Sequence, residues 1–169
     1  MVSLRRPFQL FRLPESFDID EAALEQTYRT LAARFHPDRT ATASAFEQKQ
    51  AVMMSATLNQ AYAVLKNPTD RAAYLLKQQG IDADAPENTR MDTAFLMQQM
   101  EWRETLAEAR AAGDTAALNA LEGQVSAEQT ALYGQLAAAF DAQQYQTAAQ
   151  LVRQGRFLNK MRQEIENAV

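Results

Sequence analysis

The chain has no cysteine, one histidine, and only five glycines and five prolines among its 169 residues. Without cysteine there is no disulfide framework, thiol nucleophile, Cys-ligated zinc site or thiolate-bound iron-sulfur cluster. A single histidine also excludes a multi-histidine metal site. No apolar run approaches the roughly 20 residues needed to span a bilayer, and the segment from Met1 to Pro14 lacks the apolar stretch of a signal peptide. The expectation is a soluble intracellular protein. Apolar residues make up 47% of the chain, charged residues 22% and aromatics 8%. That is enough for one ordinary domain or two small ones, and it argues against disorder.

The net charge of -4 is unevenly distributed. Residues 1–79 carry ten Lys+Arg against eight Asp+Glu, a balance of +2, and residues 80–169 carry seven against thirteen, a balance of -6. Two modules facing different partners fit this split, and +2 is too weak for a nucleic-acid footprint.

Abundant Ala, Leu, Gln and Glu, with no sustained period-two alternation, predict an all-α chain. A short helix over Phe8–Leu13 stops at Pro14. Asp20 reads as an N-cap for a helix carrying Leu24, Tyr28, Leu31 and Phe35 on one stripe, which must end before Pro37. A second long helix is expected from about Ala41 to Lys66, with Leu58, Ala61, Tyr62 and Leu65 in register, then a brief one over Asp70–Gln79. Gly80 to Thr89 combines a glycine stop, a proline and capping residues and reads as a linker.

Beyond it, three amphipathic stretches are expected at about Met91–Ala112, Thr115–Ala139 and Gln143–Asn167, and their short connections favour an antiparallel three-helix bundle. Leu118, Leu121, Val125, Leu132 and Leu136 form one core stripe, and Leu151, Leu158 and Ile165 another. Gly123, Gly134 and Gly155 inside these helices mark close packing or bends, or are simply tolerated. The domains are thus expected at 1–79 and 90–169, joined by 80–89.

His36-Pro37-Asp38 falls in the loop between two helices, where Pro37 ends the first helix and stiffens the turn. A histidine and an aspartate are then presented rigidly, at little entropic cost on binding. Arg29 and Arg34 lie about 100 to 120 degrees from Tyr28 on opposite sides of the wheel, off the core stripe, and with Arg39 can form a solvent-facing basic edge. His36 and Asp38 have no serine, second carboxylate or metal ligand near them in sequence, which makes intrinsic catalysis the poorer explanation. A wheel over the first helix after the linker puts Met91, Phe95, Trp102, Leu106 and Ala109 within about 60 degrees, as a buried stripe. Leu96, Met97 and Met100 fall elsewhere, beside Glu101, Glu104 and Glu108. An acid-rimmed apolar patch suits docking of a basic-rimmed partner; the alternatives are that Leu96 and Met100 widen the core contact or face the first domain. Phe157 lies about 100 degrees off Leu158, as a partly exposed anchor or a bundle-edge core residue.

Tyr28-Arg29-Thr30-Leu31-Ala32-Ala33-Arg34-Phe35 before His36-Pro37-Asp38, and Asn59-Gln60-Ala61-Tyr62-Ala63-Val64-Leu65, Pro68, Arg71 and Tyr74 after it, resemble the J-domain. This is the module by which co-chaperones engage DnaK-type ATPases. Arg71-Ala72-Ala73-Tyr74-Leu75-Leu76, the segment from Met91 to Glu104 and Arg156-Phe157-Leu158-Asn159-Lys160 extend the resemblance to the HscB family of iron-sulfur cluster biogenesis.

The resemblance implies that His36, Pro37 and Asp38, with Arg29, Arg34 and Arg39, bind and stimulate the ATPase HscA. It implies that Leu96, Met97, Met100, Glu101, Glu104, Glu108 and Phe157 bind the cluster scaffold IscU. It further implies a co-chaperone with no catalytic site, no metal and no cofactor, acting as a monomer in a bacterial cytoplasm without nucleic-acid or membrane partners. Arg39 stands where the family more often has lysine, Arg12 where it often has glycine, and Trp102 where an aliphatic residue is expected.

Overall fold

The computed structural model of the chain describes residues 6–85 and 91–169; residues 1–5, the 86–89 part of the expected linker and residue 90 lie outside them. Every regular element among the described residues is helical: α1 (Pro7–Leu10), α2 (Glu21–Arg34), a 3₁₀ turn (Pro37–Thr40), α3 (Ala45–Lys66), α4 (Pro68–Gln78), α5 (Thr93–Ala112), α6 (Thr115–Asp141) and α7 (Tyr145–Ala168). The chain divides into two compact units, Met1–Leu75 and Leu76–Val169, with the division falling inside α4. None of the helices among the described residues is long and apolar enough to cross a membrane.

In the first unit α2 and α3 form a hairpin, and α1 packs on α3. Asp20 caps α2 by accepting from the Ala23 N–H at 3.0 Å. The second helix of the hairpin starts at Ala45, later than the expected Ala41, because the chain after Pro37 takes a 3₁₀ turn and Ser44 accepts from the Glu47 N–H at 3.2 Å. Ser44 and Glu47 are spaced as in a capping box, a signal present in the sequence. Asn67 similarly moves the start of α4 to Pro68, its side chain accepting from the Thr69 and Asp70 N–H groups. Leu58, Ala61 and Leu65 are buried as their stripe requires; on α2 only Leu24 is fully buried, and Tyr28, Leu31 and Phe35 are half-buried.

Arg71 is 4% exposed, yet it carries a charge. Its Nε donates to the Phe17 carbonyl at 2.7 Å, its Nη1 to the Leu65 carbonyl at 2.6 Å, and its guanidinium lies 5.1 Å from the Phe17 ring centroid. One side chain thereby ties the segment before α2 to the end of α3.

In the second unit α6 and α7 share the most extensive packing, and α5 contacts both. The leucine and valine stripes of α6 and α7 are buried throughout. On α5, Phe95, Trp102, Leu106 and Ala109 are buried, whereas Met91 lies outside the helix and is only half-buried. A polar chain fixes the register of α6 on α7: Arg162 donates to Gln129 Oε1 at 2.8 Å and to Glu122 at 3.2 Å, and Gln129 donates to Asn159 at 2.6 Å. Arg156 grips Asp84 with two hydrogen bonds of 3.1 and 3.0 Å, so the segment following α4 is fastened to α7.

Four helix ends share one closure. After α1, α4, α5 and α6 a residue in the left-handed region ends the helix: Arg12 (φ 55), Gly80 (φ 78), Gly113 (φ 63) and Gln143 (φ 56). In each, the next residue's N–H reaches the carbonyl five back, as from Leu13 to Phe8, Ile81 to Leu76, Asp114 to Ala109 and Gln144 to Ala139. Arg12 therefore occupies a position glycine would hold without the Cβ clash. This closure also shortens α1 relative to the expected Phe8–Leu13 and delays α7 to Tyr145. A Cβ placed on Gly123 or Gly134 would meet no heavy atom within 4 Å, so neither glycine marks a close approach of helices.

The helix ends and Arg71 can be tested by stability in urea titrations. Gln143→Gly is expected to raise unfolding free energy by about 0.5–1 kcal/mol, and Gly113→Ala to lower it by about 1 kcal/mol. Arg71→Met, which leaves two buried carbonyls without their donor, is expected to cost about 2–4 kcal/mol by the same measurement.

Candidate functional site

The loop is shaped by its proline. Pro37 has no N–H to continue α2, and the residue before a proline is driven to extended backbone; His36 sits at φ -61, ψ 138. The chain then closes a 3₁₀ turn, with the Arg39 N–H donating to the His36 carbonyl at 3.0 Å and Thr40 Oγ1 to the Pro37 carbonyl at 3.2 Å. The Asp38 N–H donates to His36 Nδ1 at 3.2 Å. That bond requires Nδ1 to be unprotonated, which puts the proton of the neutral ring on Nε2. His36 and Asp38 side chains remain 59% and 93% exposed, with Nδ1 and Oδ2 3.5 Å apart. The tripeptide is thus a preformed turn with both functional groups facing solvent.

Arg29, Arg34 and Arg39 are all exposed, in keeping with a basic edge. Arg29 is paired with Glu25 at 2.6 Å, and the Arg34 guanidinium stands 6.0 Å from the Phe35 ring centroid. Beside the loop an apolar groove of about 830 Å³ is lined by Arg34, Phe35, Phe46, Met53 and Met54 among others. Phe46 and Met53 are largely exposed, and neither falls on a stripe that periodicity picks out. Behind the loop, Tyr28 stacks on Tyr62 at 3.9 Å and donates to Asn59 at 2.7 Å. Two side chains of α3 reach the loop backbone itself: Ser55 Oγ donates to the Phe35 carbonyl at 3.1 Å, and Gln48 Nε2 donates to the Ala41 and Ala43 carbonyls at 3.1 and 3.3 Å. Sequence spacing missed both, because their partners are backbone groups supplied only by the hairpin.

In the second unit, the patch residues lie on α5. Leu96, Met97 and Met100 are 41%, 61% and 71% exposed, and Glu101, Glu104 and Glu108 are exposed along the same helix. Large apolar side chains left in water beside carboxylates are the composition of a docking face. Phe157 is half-buried on α7 and meets the buried Phe95 edge to face, with ring centroids 6.4 Å apart. It therefore joins the two helices while keeping part of its ring accessible. Trp102 fills the α5 core stripe, and its Nε1–H has no hydrogen-bond partner among the described residues.

Comparison with known proteins covers both units. Residues 7–74 match the family described as DnaJ domain, and residues 91–166 match that described as HSCB C-terminal oligomerisation domain. A co-chaperone protein HscB homolog from Neisseria meningitidis serogroup B is 64% identical over 162 residues, covering 96% of this chain and 98% of the relative. Chaperone HscB from Vibrio cholerae superposes with a TM-score of 0.79 at 39% identity, covering 96% of each chain. Human co-chaperone protein HscB superposes with a TM-score of 0.85 at 30% identity, covering 99% of this chain and 83% of that one. With both units matched in order and near full-length identity to such relatives, the chain belongs to the HscB co-chaperone family.

Proposed function

We propose that this chain serves iron-sulfur cluster biogenesis by binding the scaffold protein IscU, delivering it to the DnaK-type ATPase HscA and stimulating ATP hydrolysis there. Cluster maturation and transfer to acceptors are promoted as the ATPase closes on the scaffold. The observation that carries the reading is the preformed, solvent-facing turn of His36, Pro37 and Asp38 in a member of a J-domain co-chaperone family. Residues 1–79 form the ATPase-facing module, in which Arg29, Arg34 and Arg39 supply positive charge around the turn and the adjoining groove adds apolar surface. Residues 90–169 form the scaffold-binding module, and 80–89 connect them. There Leu96, Met97, Met100 and Phe157 supply apolar contact and Glu101, Glu104 and Glu108 the acidic rim.

On this reading the chain has no catalytic site and needs no cofactor. The contact between His36 and Asp38 shapes the turn rather than activating a nucleophile. The chain works as a monomer in a bacterial cytoplasm. A second reading has a specific observation behind it: the family matched by residues 91–166 is described as an oligomerisation domain, and three apolar side chains on α5 are exposed. In that case the patch pairs with a second copy of the chain. Sedimentation of the purified protein separates the two, since self-association abolished by Leu96→Ala with Met100→Ala favours the second.

For the first reading, His36→Gln is expected to fold and bind scaffold normally but to lose ATPase stimulation in single-turnover assays; retained stimulation contradicts the role of the turn. The triple variant Leu96→Ala, Met100→Ala, Phe157→Ala is expected to weaken scaffold binding by roughly 100-fold in calorimetry while leaving scaffold-independent stimulation intact. Unchanged scaffold affinity contradicts the patch.

A further inference from the structure

Pro37 leaves the hairpin tip with a hydrogen-bonding deficit. The last carbonyls of α2 have no continuing helix to donate to them, and the Arg39 N–H that would serve Phe35 is committed to His36 instead. On the far side of the 3₁₀ turn, the Ala41 and Ala43 carbonyls lie between Thr40 and the start of α3, likewise outside any helix. The Phe35, Ala41 and Ala43 carbonyls find their donors on α3. Ser55 Oγ spans from α3 to the Phe35 carbonyl immediately before His36, and Gln48 Nε2 reaches Ala41 and Ala43 immediately after the turn. At about 100 degrees per residue, Gln48, Ser55 and Asn59 fall within about 40 degrees of one another, on one stripe of α3. Asn59 extends it by accepting from Tyr28, whose ring stacks on Tyr62. Behind the turn the stripe borders a cleft of about 260 Å³ lined by Tyr28, His36, Pro37, Ser55 and Asn59 among others. Alongside its packing on α3, the loop backbone at both ends of the turn is thus reached by directional bonds from Ser55 and Gln48.

We propose that Ser55 and Gln48 are positioning residues that clamp the His36-Pro37-Asp38 turn from both ends and keep it in the form that engages the ATPase. Neither residue is itself required to touch the partner. The functional half of this inference rests on the reading that the turn acts on an HscA-type ATPase; the clamp itself does not. A turn that is competent only part of the time lowers apparent affinity by the competent fraction, while saturation still reaches the same maximum.

The test compares Ser55→Ala, Ser55→Thr and Gln48→Ala in the full chain by two measurements. The first is amide hydrogen exchange, which needs no partner. Ser55→Ala is expected to exchange about fivefold faster at Asp38 and Arg39, with the central amides of α2 and α3 unchanged, and Gln48→Ala about fivefold faster at Ala43. Ser55→Thr keeps the hydroxyl and is expected to restore the wild-type rate. The second is single-turnover ATP hydrolysis by the HscA-type ATPase, titrated with each variant. For Ser55→Ala the half-saturating concentration is expected to rise about fivefold at unchanged maximal stimulation, again restored by threonine. Wild-type exchange at Asp38 and Arg39 in Ser55→Ala overturns the clamp. Faster exchange with an unchanged half-saturating concentration overturns its positioning role. An ATPase that fails to respond to the wild-type chain contradicts the proposed function instead, and the exchange measurement then decides the clamp by itself.

Discussion

The missing N–H of Pro37 is the constraint on which the first unit is organised. It stops α2 at Arg34, drives His36 into extended backbone and forces the chain through a 3₁₀ turn before α3 can begin at Ala45. The result is a corner whose side chains point outward and whose backbone polar groups must find partners elsewhere. The turn supplies some of them internally, through the His36 ring and carbonyl, and α3 donates to the Phe35, Ala41 and Ala43 carbonyls. At the other end of the hairpin the buried Arg71 performs a comparable service, joining the Phe17 and Leu65 carbonyls within the core. The presented turn therefore stands on a hairpin fixed at both ends by directional hydrogen bonds.

The second unit solves a different problem. Its three helices bury long aliphatic stripes against one another, with the Arg162, Gln129 and Asn159 chain setting how α6 and α7 align. Once those stripes are buried, α5 still has Leu96, Met97 and Met100 in water next to three carboxylates. The contrast in charge, +2 for residues 1–79 and -6 for residues 80–169, then has a chemical meaning. A basic surface flanks the turn, an acidic one flanks the patch, and the two belong to different units. The absence of cysteine fits the same picture, since a chain that serves cluster assembly without thiolates would contribute delivery and timing rather than ligands.

Periodicity made most of this legible. Leu118, Leu121, Val125, Leu132 and Leu136 are buried because a 3.6-residue period permits little else, and the exposed face of α5 followed from the same wheel. Pro37, Gly80 and Gly113 marked helix ends because their backbone chemistry is local. Features built by tertiary contact were not legible. Gln143 adopts a left-handed backbone that nothing in its identity announces. Ser55 and Gln48 look like ordinary surface residues of α3 until the hairpin brings the Phe35, Ala41 and Ala43 carbonyls to them. Arg71 contributed to the family resemblance, but its burial depends on Phe17, 54 residues away in the sequence. Met91 shows the reverse error, since its wheel position was meaningful only if α5 began two residues earlier than Thr93.

On the proposed function, one chain couples a scaffold to an ATPase through two separate surfaces. Single-turnover ATP hydrolysis by the HscA-type ATPase, with this protein and the scaffold added separately and together, tests that coupling most directly. Acceleration is expected with this protein alone, and a larger acceleration when both are present than the two separate effects combined. No acceleration by this protein, or a combined effect no greater than the separate ones, would contradict the coupling.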